Sequence, residues 1–425
     1  MEAACIGALL DGPGRTLAAD GKAPLSSPEF VLTPEDDQFL DEMEKANFQF
    51  FWEQADPESG LVKDRANVRA AGRTTVASIA ATGFGLTALC IAEQRGWVSL
   101  TDARARAMAT LDFLWRKMPT HRGFFYHWAN VKSGERVWDA EVSSVDTAML
   151  LCGILACREH FRYAALTRLA YQIFDRVDWT WISEDTSLLA HGWAPEIGFL
   201  PYRWDLYSEH MMMYLLGLGA SLHPLPVDVW NAWKRTTFEY DGLRYIGSYA
   251  PLFVHQYPQA WFDLRGKRDR YADYFKNSVT ATEVHRRFCL ELAKQFPDYS
   301  DDLWGITASD SQKGYVVWGG PPEIGPIDGT VVPSAAGGSL PFQPRATLRV
   351  LKNMKNRYGS KAWSRYGFVN AFNPLTNWYD TDVIGIDTGI TMLMAENLRS
   401  GFVWNTFMRN QVVSRGIERA GFKPY

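Results

Sequence analysis

The chain has 425 residues, 47% hydrophobic and 22% charged, which is enough to bury a large core in one big domain or in two. Its net charge of -4, without a run of like charge, supplies no basic field, so no nucleic-acid partner is expected. Five cysteines, an odd number without metal-type spacing, give neither a disulfide framework nor a zinc site.

Residues 1–30, rich in Gly, Ala, Pro and Ser, read as a flexible segment ahead of a single domain over 31–425. The apolar piece Ala3 to Leu10 follows Glu2 where a secretory signal would carry basic residues, so no clear signal peptide is read. No stretch reaches about 18 uninterrupted apolar residues, and no membrane span is expected. Thr33-Pro34-Glu35-Asp36 offers an N-cap, a proline at the first helical position and an early acid, which starts a helix running to about Gln54. Apolar spacing of three and four then predicts helices over Thr74–Gln94, Leu100–Met118, Ser143–Phe161, Arg162–Trp179 and Leu206–Ala220. Further helices are predicted over Val227–Thr237, Ser278–Phe296, Arg345–Arg357 and Val383–Arg399. Strand-like alternation is confined to short pieces such as Gly123–Tyr126 and Tyr315–Trp318. The pattern is that of an all-α toroid.

Four connections, Pro119–Asp139, Trp181–Asp205, Gly242–Asn277 and Tyr299–Pro344, exceed the usual length for compact domains, and the chemistry is expected on the face that carries them. Two helix entries stand out. Trp138-Asp139-Ala-Glu141-Val-Ser-Ser-Val-Asp146 and Trp204-Asp205-Leu-Tyr207-Ser-Glu209 each bring a Trp and two or three carboxylates to the start of an apolar helix. Two such rims facing each other would supply the paired carboxylates that acid/base cleavage of a glycosidic bond needs. A capping box formed with Ser143 accounts equally well for Asp146, and Glu209 could be a helix-dipole partner. Asp139 and Glu141, which precede the helix, are explained less well by capping.

Seventeen Trp, 18 Tyr and 24 Phe are a heavy aromatic load, and such rings either fill cores or stack on sugar faces. The long loops embed polar groups among them: His255-Gln256-Tyr257, Trp261-Phe-Asp263-Leu-Arg265, Trp304 through Asp310, and Trp318-Gly-Gly-Pro-Pro322. Rings beside two-way hydrogen-bonding groups suit a sugar subsite. With Trp138, Trp204 and Tyr207 these are the candidate substrate-binding residues; His255 and Asp263 could also be satisfied loop anchors. The sequence has no phosphate-cradling loop, no His-Glu-x-x-His and no Gly-x-Ser-x-Gly, so no cofactor and no catalytic metal are expected.

Glu141-Val-Ser-Ser-Val-Asp146-Thr-Ala, Trp204-Asp-Leu-Tyr-Ser-Glu209-His-Met, Trp304-Gly-Ile-Thr-Ala-Ser-Asp310-Ser, Asp328-Gly-Thr-Val-Val-Pro333 and Gly385-Ile-Asp387-Thr-Gly together resemble a known family. It is the glycoamylase-like domain family, which includes bacterial endo-β-1,2-glucanases and the glycoamylase-like domain of cyclic β-1,2-glucan synthases. In order and spacing these motifs cover about residues 33 to 410. The resemblance implies an (α/α)6 barrel with a groove at one end, exported or periplasmic, monomeric, acting on β-1,2-linked glucose chains. It implies Glu209 as the general acid and essential acids in the segment Asp139 to Asp146, with the base open among Asp139, Glu141 and Asp146. A glycosidase or transglycosylase on another β-glucan, or a non-catalytic sugar-binding toroid, is the alternative.

Overall fold

A computed structural model describes residues 30–425 except 71, 73, 185, 249, 250 and 322–324. The expected flexible segment therefore lies almost wholly outside the described residues. Thirteen α-helices are described: α1 (Pro34–Gln54), α2 (Ile79–Gln94), α3 (Leu100–Arg116), α4 (Ser144–Phe161), α5 (Ala164–Asp175), α6 (Met211–Gly219), α7 (Tyr257–Trp261), α8 (Tyr274–Leu292), α9 (Pro333–Gly337), α10 (Pro344–Tyr358), α11 (Gly385–Arg399), α12 (Phe402–Phe407) and α13 (Gln411–Arg419). They form an all-α toroid of the (α/α)6 kind.

Burial sorts the helices into two rings. α2, α4, α6, α7, α9 and α11 are buried along almost their whole length, as helices apolar on every side must be. α1, α3, α5, α8, α10 and α13 bury one stripe each and face water with the other, which makes them the outer ring. α11, α2, α4 and α6 pack in succession, while α9 and α7 both lie against α11. α12 touches α2, α4, α7 and α11 and closes the ring at the carboxyl ends of the inner helices. Its Trp404 donates from Nε1 to the carbonyl of Gln259 at 2.6 Å.

The tightest crossing is that of α2 with α4, where two glycines let backbones meet. A Cβ on Gly153 would lie 2.1 Å from the Gly83 carbonyl oxygen, and one on Gly83 would lie 2.4 Å from the Met149 carbonyl oxygen. Further along the same seam the free thiols Cys90 and Cys157 approach to 3.6 Å, both buried and packing as small apolar groups.

Short ribbons stitch the amino ends of the inner helices into one rim. Strand 65–67 pairs with 382–384, which leads into α11, and strand 76–78, which leads into α2, pairs with 128–130. Strand 142–143, which leads into α4, pairs with 192–194. Side-chain caps finish the job: Ser78 accepts from the Ala81 amide and Ser143 from the Asp146 amide.

The structure differs from the sequence reading at several boundaries. α6 begins at Met211 instead of Leu206, because residues 205–207 are drawn off to bond with Lys234. Val227–Asn231 is a single 3-10 turn, and Thr237–Tyr240 is a strand paired with Leu243–Ile246. α8 starts four residues early because Asp273 caps it by accepting from the Lys276 amide. α7 and α9 hide inside what the sequence presents as long loops, since five residues are too few to show a helical period.

Gly153→Ala should unfold at markedly lower urea concentration, a loss of about 3 kcal/mol, because backbone cannot yield as a side chain does. Gly198→Ala, at φ 78 but with nothing within 4 Å, should cost only about 1 kcal/mol, the left-handed penalty alone.

Candidate active site

The rim gathers carboxylates from the entries of three inner helices, α4, α6 and α11, and from the loops that carry Asp64 and Asp310. On the α4 side, Glu141 and Asp146 flank His127: its Nδ1 lies 3.1 Å from Glu141 Oε1 and its Nε2 lies 3.6 Å from Asp146 Oδ2. Burial alone would pull the His127 pKa down, but the charges of Asp146 and Glu141 and the Glu141 hydrogen bond lift it to about 9. At neutral pH it is therefore an imidazolium. Burial would likewise raise Glu141, yet the bond and charge of His127 hold it below the usual carboxylate range. Asp146 also accepts from the Ser143 hydroxyl at 2.5 Å, so the capping box read from the sequence and the place beside His127 coexist in one residue.

Glu209 sits two residues ahead of α6, in the turn before the helix. It keeps part of its surface open while protein crowds it on the other sides, as expected at the bottom of a cleft. That crowding raises its pKa, the charge of Asp146 raises it further, and the Ser208 hydroxyl donated to Oε2 opposes both.

The fourth carboxylate is Asp387, in the first turn of α11. Ser334 of α9 donates to Oδ1 at 2.8 Å, and the Asn370 amide donates to Oδ2 at 2.6 Å. The orientation of Asn370 is fixed, because its own oxygen accepts the Asp310 backbone N–H at 2.8 Å and leaves only the NH2 for Asp387. Burial, with the charges of Asp310 and Asp64, still lifts Asp387 to about 7. Arg65 supplies the local cation, 2.9 Å from Asp64, 2.5 Å from Asp310 and 3.8 Å from Asp382. Nearby Asp380 is raised to about 7 by burial and by Asp310 and Asp382. Burial raises the phenol pKa of Tyr257, the first residue of α7, and the charges of Asp387, Glu209 and Asp146 raise it further, so this ring lies within electrostatic reach of both acid groups.

The other predicted residues divide. Asp310 belongs to the site through Arg65 and Asn370, and Trp318 pins its hairpin by donating to Ser309 Oγ at 2.8 Å. Trp204 lies beneath the α4 entry, donating to Ser144 Oγ at 2.9 Å and stacked on His191 at 3.9 Å. Tyr207 and His255 bond to each other at 3.0 Å inside the wall, and Gln256 is spent on Ala335 and Ser339 of the α9 segment. Trp304 is wholly buried, and Trp261 is core, donating to Thr87. Arg265 lies over the Trp404 ring at 4.0 Å, at the closed end away from the rim. Trp138 and Asp139 sit on an exposed turn, with Asp139 apart from the Glu141 and Asp146 pair. The sequence reading passed over His127, Arg65, Asn370 and Asp387 as site residues, while Tyr257 stood in the His255-Gln256-Tyr257 stretch. Asp387 alone had a signal, an acid in the first turn of an apolar helix within a family motif.

Residues 201–411 match the glycoamylase family, described as "Putative glucoamylase". Over that stretch the chain is similar to a glycoamylase-like domain. The chain is also similar to an endo-β-1,2-glucanase from Chitinophaga pinensis, solved with sophorotriose and glucose: 28% identity, 91% of this chain and 98% of that one, TM-score 0.86. A structure from Bacteroides uniformis, titled a putative glucoamylase, is 29% identical over 93% of this chain and 99% of its own, also at TM-score 0.86. The exo β-1,2-glucooligosaccharide sophorohydrolase (non-reducing end) of Parabacteroides distasonis is 26% identical over 90% of this chain. This chain spans 58% of that relative's length. Among the described residues no helix is long and apolar enough to cross a membrane, and no three His, Cys, Asp or Glu converge as metal ligands.

The charge balance gives a direct check. NMR titration should find the His127 ring changing charge near pH 9, and Glu141→Gln should bring that value down. Because its folded pKa lies above the ordinary 6.5, the stability His127 contributes should be complete below about pH 6.5 and fade as pH rises through about 9. Urea midpoints of wild type and His127→Gln should converge over that range.

Proposed function

We propose that this protein is a glycoside hydrolase that cleaves β-1,2-linked glucan, releasing sophoro-oligosaccharides. The observation that carries the reading is the gathering of acids at the entries of three inner helices, a half-buried Glu209 ahead of α6, Asp146 in α4 and Asp387 in α11, with burial raising the pKa of both Glu209 and Asp387. The similarity to β-1,2-glucanases supports the substrate. A polymer of this kind is met in the periplasm or outside the cell, and the domain would act there as a monomer.

In this mechanism Glu209 enters as the neutral acid and gives its proton to the glycosidic oxygen as the bond from C1 to that oxygen breaks. The nearby Asp146 raises the Glu209 pKa and so favours its protonated form before the reaction. Glu141 is engaged by His127, which makes it a weak base. Asp387, with its pKa of about 7, is better matched to take a proton from the attacking water near neutral pH. The water oxygen then joins C1, and proton exchange with solvent restores Glu209 and Asp387. This reading puts the base on α11, whereas the family resemblance left it open among Asp139, Glu141 and Asp146.

Reducing-end release from linear β-1,2-glucan tests the reading. Glu209→Gln and Asp387→Asn should each lower kcat by about two to four orders of magnitude with melting temperature nearly kept. A wild type inactive on β-1,2-glucan would overturn the substrate, and a fully active Glu209→Gln would remove it as the acid.

The acidic limb of the kcat/KM profile should lie near pH 7, where Asp387 ionises. Asn370→Asp keeps an acceptor for the Asp310 amide but sets a second negative charge against Asp387. That disfavours the ionised base, so the limb should move to higher pH.

A further inference from the structure

Among the described residues Trp138 is the most exposed aromatic side chain, at 67%. Its backbone is also costly: Trp138 has φ 58 and Asp139 has φ 52, two successive non-glycine residues in the left-handed region. Such strain persists only where neighbouring structure over-determines it. Here Arg136 does so, donating from Nε to the Ala140 carbonyl and from Nη2 to the Asp139 carbonyl, each at 2.5 Å. The same guanidinium is held by both oxygens of Glu196, at 2.6 and 2.9 Å. The turn is thus braced in a conformation that lifts an indole out of the protein instead of burying it.

The direction of that indole matters. Its edge meets Trp128 at 5.9 Å and 66°, and Trp128 lies flat on His127 at 4.0 Å and 16°. His127 in turn bonds to Glu141 and faces Asp146. The three rings form a stair that climbs from the acid cluster to the exposed lip of the rim, and its last step is open to solvent. A flat, apolar, rigidly held face continuous with a sugar-cleaving cleft suits the C–H face of a pyranose.

We propose that Trp138 is a stacking platform for a glucosyl unit beyond those at the scission point, which gives the enzyme a preference for chains long enough to reach it. This rests on the glucan reading above.

The test compares wild type, Trp138→Ala, Trp138→Phe and Trp138→Gly on β-1,2-gluco-oligosaccharides of increasing length. In wild type kcat/KM should rise with length until the platform is occupied. In Trp138→Ala the long-to-short ratio of kcat/KM should fall about threefold to tenfold, mainly through KM, with Trp138→Phe recovering most of it. Trp138→Gly should lose the same length preference yet melt higher than wild type, since glycine relieves the left-handed strain; a purely structural Trp138 would not separate the two readouts. A length profile for Trp138→Ala that overlays wild type overturns the proposal while leaving the glucan reading intact. Calorimetric titration of Glu209→Gln with and without Trp138→Ala, using the longest oligosaccharide, checks binding apart from turnover. Equal affinities overturn the platform. A Glu209→Gln protein that binds no β-1,2-glucan, with a wild type that cleaves none, overturns the glucan reading and the platform with it.

Discussion

Everything at the rim follows from six inner helices that have no polar face. A helix buried on every side can satisfy its unpaired end groups only at its ends, so the inner ring must meet water and polar side chains at its two rims. At one rim α12 closes the ring; at the other the exposed amide ends of α2, α4 and α11 are capped by Ser78, by Ser143 and by the ribbons that lead into them. The same end attracts acids, because amide dipoles favour negative charge. The glycine contact of Gly83 with Gly153 lets α2 and α4 run close enough for their capped ends to share one set of side chains.

The carboxylates there outnumber their cations, and that imbalance sets the chemistry. Arg65 is shared among Asp64, Asp310 and Asp382, and His127 between Glu141 and Asp146. Among the described residues the donors to Glu209 and Asp387 are neutral: the Ser208 hydroxyl and a backbone amide for the first, the Ser334 hydroxyl and the Asn370 amide for the second. Neutral donors and a helix amino end favour the charged form, but burial and neighbouring negative charge outweigh them at both positions. Two carboxyls of raised pKa at one rim are thus a consequence of where the two cations are spent.

Much of the ring was legible in the chain. Helices rich enough in apolar residues declared themselves by period, and Thr33 and Ser143 marked starts that the structure keeps, with Ser99 capping a third. The long connections contribute His127, Tyr257 and Asp310 to the acid rim, though one of them also carries Arg265 to the closed end, and α7 and α9 were concealed within them. Of the candidate site, Glu141, Asp146, Glu209 and Asp310 were visible as acids near helix entries or in aromatic loops. Trp204, Tyr207, His255, Gln256 and Trp261 were not distinguishable from binding groups, because a polar atom beside an aromatic looks the same in sequence whether it meets a ligand or a neighbouring wall.

The sequence by itself determined the all-α class, the apolar inner helices and the placement of acids at their amino ends, since each depends on local period and local capping. The tertiary structure alone decided which charges face each other. His127 and Glu141 are 14 positions apart, Arg65 and Asp310 are 245, and Ser334 and Asp387 are 53. An ionisation state is the sum of burial and of charges brought close by ring closure, and no local pattern records that sum.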